Sequence, residues 1–364
     1  MFCTAAYAAA MRDVRKGRGA GSNRSGRYER HRREAFDDGW GTIDEAQGPL
    51  RTEVRPDASR TVITRNSSPD LGFDRSINVY RGCEHGCVYC YARPTHAYLG
   101  LSPGQDFESR IFAKHEAPAQ LERELARPGY ECRMIAMGTN TDPYQPTERR
   151  LALTRGVLEV LDRHEHPVGI VTKSALVTRD VDVLSRMARR RLATVSLSVT
   201  TLDRDLARTM EPRASTLAKR LEAMRTLSAA GVPVGVMAAP IIPGLTDHEM
   251  EAILEAAAEA GAGRAGYVLL RLPQEVRGLF LEWLSVHAPN KAKRVVSLLQ
   301  GMRAGRLNDA SFGSRMTGNG PYAELLAARF AAATKRLGLT RRGPDLDTER
   351  FRAPSAAPEQ PALF

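Results

Sequence analysis

Three cysteines stand within eight residues of this chain, in the stretch Cys83-Glu-His-Gly-Cys87-Val-Tyr-Cys90. They make a C-x3-C-x2-C pattern at the end of an apolar run that includes Ile77, Val79 and Tyr80. Three closely spaced thiolates can hold three corners of a cubane iron–sulfur cluster. With no fourth cysteine nearby, one iron would be left open to a ligand that is not protein. That layout suits an enzyme that binds a molecule directly at a redox-active iron, not a simple electron carrier. Soft sulfur donors favour iron–sulfur over hard cations. Gly82 and Gly86 let the loop turn tightly and aim backbone N–H groups at the sulfides.

Structural zinc would ask for four protein ligands. The second half of such a site is missing here. His85 lies inside the tight loop, where all four groups could hardly reach tetrahedral positions together. Cys3 and Cys132 stand alone, and Cys132 reads as a small buried hydrophobe opening a strand. Five cysteines in 364 residues are too few and too scattered for a disulfide framework. Their usage points to a reducing compartment, the cytoplasm.

The loop resembles the cluster loop of the radical S-adenosylmethionine (radical SAM) superfamily, which carries an aromatic residue, here Tyr89, just before the last cysteine. The stretch Cys87-Val-Tyr89-Cys90-Tyr91 is more narrowly similar to the spore photoproduct lyase and DNA repair photolyase-like branch. The resemblance covers about residues 70–250. It implies a partial (β/α)6 barrel, a TIM-like α/β fold, that holds a 4Fe–4S cluster on Cys83, Cys87 and Cys90 and binds S-adenosyl-L-methionine. The reduced cluster would pass one electron into an S–C bond of SAM. A 5′-deoxyadenosyl radical would then remove hydrogen from an unreactive carbon, the protein supplying orientation and exclusion of water.

The same resemblance assigns further residues, most of them just after strands. Tyr89 would pack over the adenine. Thr139, Asn140, Thr141 and Asp142 stand where most of the superfamily has a Gly-Gly-Glu-like segment. They offer oxygen acceptors for the cofactor's ammonium, although an Asx/Pro turn would use the same residues. Lys173 would pair with the cofactor carboxylate, Ser196, Ser198 and Arg220 would lie near it, and Ile242 would cradle adenine through its backbone. Glu211 and Arg213 read equally well as a structural ion pair, and Asp247 as a helix cap. Tyr91 matches a tyrosine placed for radical transfer in the lyases. Those enzymes also use a cysteine near the end of the second strand as hydrogen donor, and Met137–Asp142 has none. Cys132 lies at the other end of that strand, roughly 15–20 Å away at ~3.3 Å per residue. A lyase with the same hydrogen relay is therefore not expected. His164 and His166 read as a surface turn.

These residues need a scaffold, and the apolar pattern supplies one. Strands are expected at Ile77–Tyr80, Met134–Met137, Val168–Val171, Thr194–Val199, Val232–Ala238 and Gly266–Leu270. Helices are expected between them, including Arg150–His164 and Thr216–Ala230. Such alternation argues for a parallel sheet covered by helices, whose ligands bind beyond the carboxyl ends of the strands. Periodicity alone does not separate a partial barrel from an open doubly wound sheet. The expected organisation is a basic, largely disordered arm over 1–65, the barrel over 66–273, a helical extension over 274–342 and a disordered tail over 343–364. The helical extension, whose last two helices flank the glycine-rich loop Asn308–Pro321 with Arg315, is expected to close the barrel mouth.

The net charge is +11. Nine Arg or Lys fall between Arg12 and Arg33. This basic arm suits phosphate contacts with DNA or another nucleic acid, and equally a solvated tail. A reductase or flavodoxin-type protein would donate electrons. No apolar run reaches transmembrane length, and residues 1–10 lack the basic start of a secretory signal. Two rivals stand beside the DNA reading. One is a radical SAM enzyme acting on RNA or a peptide. The other is a non-catalytic, metal-bound nucleic-acid-binding protein.

Overall fold

The computed structural model of the protein describes residues 18–31 and 49–354. Its strands are β1 (Glu53–Pro56), β2 (Ile63–Arg65), β3 (Arg75–Ile77), β4 (Tyr80–Arg81), β5 (Arg110–Ala113), β6 (Ile135–Met137), β7 (Val168–Thr172), β8 (Ala193–Val199), β9 (Val234–Ile241) and β10 (Arg264–Leu269). The larger sheet has the order β10-β9-β8-β7-β6-β3-β2. Six of its strands are parallel, and β2 lies antiparallel at the edge. Helices alternate with the strands, giving the partial (β/α)6 barrel that the resemblance implied.

β8 shows how the strands do this. All seven of its residues are buried. Val195, Leu197 and Val199 join the main core with the covering helices. With a side-chain period of two, Thr194, Ser196 and Ser198 face the other way. Apolar residues therefore seat the helices while short polar ones line the inner face.

Local boundaries depart from the periodic reading where the chain bends. The expected first strand splits into β3, in the large sheet, and β4, in a small sheet with β1 and β5. The bend at Asn78–Val79 carries the cysteine loop across the end of the barrel. The helix expected over 150–164 is two helices, Glu148–Leu151 and Leu153–Arg163, interrupted at Ala152 with φ 51°. Thr216 caps Leu217–Ala229 by accepting from the Lys219 N–H. Asp247 does not cap the next helix: it accepts from the Gly244 N–H at 2.8 Å and from the Tyr322 hydroxyl.

Two segments expected to be disordered pack in the described structure. Residues 18–31 lie against the cysteine loop, and residues 49–65 contribute β1 and β2. Composition misses this because the contacts are specific: the Gly19 and Ala20 N–H groups donate to the Glu108 carboxylate. Residues 1–17 and 32–48, with Cys3 and most of the basic arm, lie outside the described residues, as do 355–364. At the other end, residues 340–354 cross the amino-terminal side of the barrel. Thr340 bridges to Arg264, Asp347 accepts from Arg191, and Phe351 packs on Tyr130 and His166. His164 and His166 are consequently buried, not surface residues. Cys132 is only half-buried.

Candidate active site

The cysteine loop leaves β4 and is gripped from three sides. Behind it, the wholly buried Arg93 donates from Nε to the Cys87 carbonyl at 2.8 Å and from Nη2 to the Gly86 carbonyl at 3.1 Å. The same guanidinium pairs with Glu108, which is also fully buried. From the barrel side, Gln145 accepts from the Glu84 N–H at 2.9 Å and donates to the Gly82 carbonyl at 3.1 Å. The Glu84 carboxylate accepts from the Thr147 N–H, the Thr52 hydroxyl and Arg213. On the third side Gly19 lies so close that a Cβ there would sit 1.8 Å from the Gly86 carbonyl oxygen. Gly82 and Gly86 take left-handed backbone angles, φ +78° and +69°, which allow the tight turn. Arg93, Glu108, Glu84 and Gln145 were not singled out from the sequence. An arginine three residues past the last cysteine was the signal available.

Cys83 and Cys87 are buried and Cys90 is partly so, all three as free thiols. Burial pushes the Cys83 thiol well up, with Asp142 and the other two cysteines acting in the same direction. Burial likewise raises Cys87 to about 12, opposed by the nearby Lys173 and Arg220 charges and reinforced by Glu211. Thiols this basic ionise readily only when a metal takes the place of the proton. Three soft donors with left-handed glycines in one buried loop fit a cluster. Among the described residues, no three His, Cys, Asp or Glu side chains, these cysteines included, stand as a ready-made site for a single metal ion. His85, the imagined fourth zinc ligand, turns instead to Asp142 at 3.4 Å.

Several of the expected cofactor residues surround this loop. Lys173 Nζ stands 5.7 Å from the Tyr89 ring centroid. The Tyr89 hydroxyl donates to Glu211 and meets Thr200 at 3.0 Å. Glu211 accepts from Arg220 at 2.6 Å, and both are buried. Burial alone would raise the Glu211 carboxyl, but the Arg220 and Lys173 charges and the Tyr89 hydroxyl hold it below its ordinary value. Arg220 also donates to the Ser198 carbonyl at 2.8 Å and the Ser215 carbonyl at 2.7 Å. The ion pair left open for Glu211 is thus made with Arg220, while Arg213 pairs with Glu84.

Asp142 is committed to the framework. It accepts from the Tyr144 N–H at 2.9 Å, the Thr172 hydroxyl at 2.7 Å and the Lys173 N–H at 2.7 Å. Burial would raise its carboxyl, yet the neighbouring His85 and these donors bring it down to about 2. It therefore ties the end of β6 to the end of β7. Thr141 donates to the Tyr80 carbonyl at 3.0 Å, and the Asn78 side chain accepts from the Asn140 N–H at 3.1 Å and donates to Thr139 at 3.3 Å. Tyr91 donates to the Thr139 carbonyl. Ser196 lies elsewhere: its hydroxyl accepts from Arg264, at the start of β10 and away from the loop. Ile242 is buried beside Cys87 and Tyr89, with its N–H given to Thr246 at 3.1 Å.

A radical SAM superfamily model matches residues 77–257. The chain belongs to the radical SAM superfamily. An uncharacterized protein of Mycobacterium tuberculosis is 38% identical over 226 residues, 62% of this chain and 66% of that protein. An uncharacterized protein of Methanocaldococcus jannaschii is 31% identical over 173 residues, 48% of this chain and 62% of that protein. The chain thus matches just under two thirds of these relatives' length. Among solved structures, spore photoproduct lyase complexed with dinucleoside spore photoproduct superposes with TM-score 0.55 at 15% identity, over 79% of this chain and 80% of that one. A variant of that lyase with bound AdoMet and dinucleoside spore photoproduct gives TM-score 0.56 at 16% identity over the same shares. The radical SAM fold is thereby shared with an enzyme of that branch.

Proposed function

We propose that this radical SAM protein cleaves S-adenosyl-L-methionine at a 4Fe–4S cluster held by Cys83, Cys87 and Cys90, and acts on a nucleic-acid substrate. The crowding of Cys87 against Lys173, Glu211 and Arg220, with Cys83 and Cys90 beside it in the same loop at the carboxyl ends of the strands, carries the reading. When bound, the cluster would supply the electron that breaks the S–C bond and so creates the hydrogen-abstracting radical.

The chain's own residues prepare that event. Arg93, Glu84 and Gln145 hold the loop carbonyls and N–H groups and so fix the loop that carries the three cysteines. Lys173 offers a cation for the cofactor carboxylate, and the Thr139–Thr141 segment offers oxygens for its ammonium. The buried Tyr89 and Ile242 give an apolar wall that excludes water. Asp142 positions this set by joining the Thr139–Thr141 segment to Lys173, and Arg220 does so by bracing Tyr89 through Glu211. Tyr91 is placed after Cys90 as a radical-transfer candidate. Without a cysteine in Met137–Asp142, the hydrogen relay of the lyases is not proposed.

Free thiols at all four described cysteines suit a cytoplasmic enzyme fed by a reductase or flavodoxin-type donor. Among the described residues no helix is long and apolar enough to cross a membrane. Support for nucleic acid comes from the +11 net charge and from the dinucleoside ligand named for the solved lyase. The test is anaerobic: load iron and sulfide, add dithionite and SAM, and quantify 5′-deoxyadenosine beside Cys87→Ala. Cysteine-dependent product supports the reading. A colourless, zinc-loaded protein that yields none defeats it in favour of a binding module.

A further inference from the structure

Three guanidiniums crowd the barrel mouth beside Tyr91. Arg271 stands two residues past the end of β10, and its Cζ lies 5.4 Å from the Tyr91 ring centroid. Among the described residues its Nη1 meets only the Met316 sulfur, at 3.8 Å, and its buried Nε has no hydrogen-bond partner. Arg303 is buried and spends its terminal nitrogens on the Leu270 and Arg315 carbonyls, its Nε also without a partner among the described residues. Arg315 stacks on Phe312 at 4.8 Å. Among the described residues Asp70, bound to Arg315, is the one carboxylate that ion-pairs with any of the three.

The positions are mutually unfavourable. Burial first, and then Arg315, works against the charge of Arg271, with Tyr91 and Asp70 favouring it; burial first, and then Arg271, works against that of Arg303, with Asp309 favouring it. A buried charge without a partner is costly, so this arrangement persists more readily if a bound anion relieves it. Beside the cations stand two open rings: Tyr91 is 47% exposed and Phe312 59% exposed. Cations interleaved with exposed aromatic rings are how proteins hold single strands, phosphates on the cations and bases on the rings. An acidic peptide would use the guanidiniums and leave the rings idle.

We propose that Arg271 binds a backbone phosphate of a nucleic-acid strand at the barrel mouth, and that Phe312 provides the surface on which an adjacent base stacks. This rests on the proposed function for its place beside the reacting centre. DNA and RNA share the phosphodiester, so a preference for either strand agrees with it.

The test uses the full-length, anaerobically reconstituted protein and fluorescence anisotropy with fluorescein-labelled twelve-residue single-stranded DNA and RNA, over a salt series. A poly-glutamate peptide serves as competitor. Arg271→Gln should weaken binding roughly tenfold and make the salt slope shallower by about 0.7, one released counterion contact on a single strand. Arg271→Lys should keep the slope. Phe312→Ala removes an exposed side chain and so leaves folding intact; it should weaken binding about tenfold with the slope unchanged, as loss of one stacked base does. Equal affinity and slope in Arg271→Gln, with wild-type melting, overturns the proposal. So does poly-glutamate that competes as well as the oligonucleotide. Retained Arg271-dependent binding by a protein that makes no 5′-deoxyadenosine sinks the proposed function alone, whereas SAM cleavage with Arg271-independent binding sinks this inference alone.

Discussion

The Arg93 guanidinium and the Glu108 carboxylate meet directly behind the cysteine loop, both with no exposed side-chain surface. Every nitrogen of Arg93 is engaged: two carbonyls of the loop, two carbonyls at Pro103 and Gly104, and Glu108. Glu108 in turn accepts from Gly19 and Ala20. One ion pair therefore joins the amino-terminal segment, the loop and the wall behind it.

Breaking this pair should release the loop. Glu108→Ala leaves Arg93 buried and uncompensated, a loss of about 3–5 kcal/mol for such pairs. Chemical denaturation should show that loss, and iron per chain after reconstitution should fall with it. Full iron content in a Glu108→Ala protein of wild-type stability would show that Arg93 holds the loop without its partner.

Gly19 gives a test that touches no charge. A Cβ at this position would overlap the Gly86 carbonyl oxygen, backbone against backbone, where neither side can yield cheaply. Gly19→Val should therefore displace residues 18–22 or the loop itself. Faster oxygen bleaching of the cluster absorbance, with thermal melting lowered by only a few degrees, is the expected result. Unaltered bleaching would mean that the segment does not seal the loop.

Burial lowers His166 to about 4, with its Nε2 accepting from the Tyr130 hydroxyl at 2.9 Å. His96 is lowered to about 4 by burial as well, its Nε2 donating to the Arg110 carbonyl at 3.0 Å. Unfolded, each would titrate near 6.5. Below that pH the unfolded chain binds protons that the native state refuses, so stability is full above about 6.5 and drains away down to about 4. Thermal midpoints measured between pH 7 and 4.5 should fall accordingly. In His166→Gln the proton uptake on unfolding near pH 5 should drop by about one; an unchanged pH slope would refute the burial argument.

The parallel strands and the cysteine loop were legible because each is a local pattern: continuous apolar runs, and three thiols at fixed spacing. Lys173 and Arg220 were reachable through resemblance, and the fold brings both close to Cys87. Ser196 was not separable from Ser198 in sequence, since both face the same side of β8; only the pairing with Arg264 distinguishes them. The packed segments at 18–31 and 340–354 were missed for a related reason. Their few contacts pair single residues far apart in the chain, such as Gly19 with Glu108 or Phe351 with His166, and a composition window averages such contacts away.

Lys173 and Glu211 lie on opposite sides of an electrostatic balance at Cys87, and their sign can be read out. The Lys173 charge favours the thiolate and the Glu211 charge opposes it. A reduced cluster carries one more negative charge than an oxidised one, so the same two residues should tune its potential. Charges at several ångströms in a partly buried site are worth about 1–2 kcal/mol, which for one electron is on the order of tens of millivolts. Glu211→Gln should raise the midpoint potential in an EPR-monitored redox titration, and Lys173→Met should lower it. Arg220 loses its carboxylate in the first variant, so melting must be followed alongside, and a wild-type melting curve is not expected there. Lys173 ion-pairs with no carboxylate among the described residues, so Lys173→Met should fold normally and carries the cleaner result. Shifts of the same sign in both variants would mean that loop distortion, not charge, sets the potential.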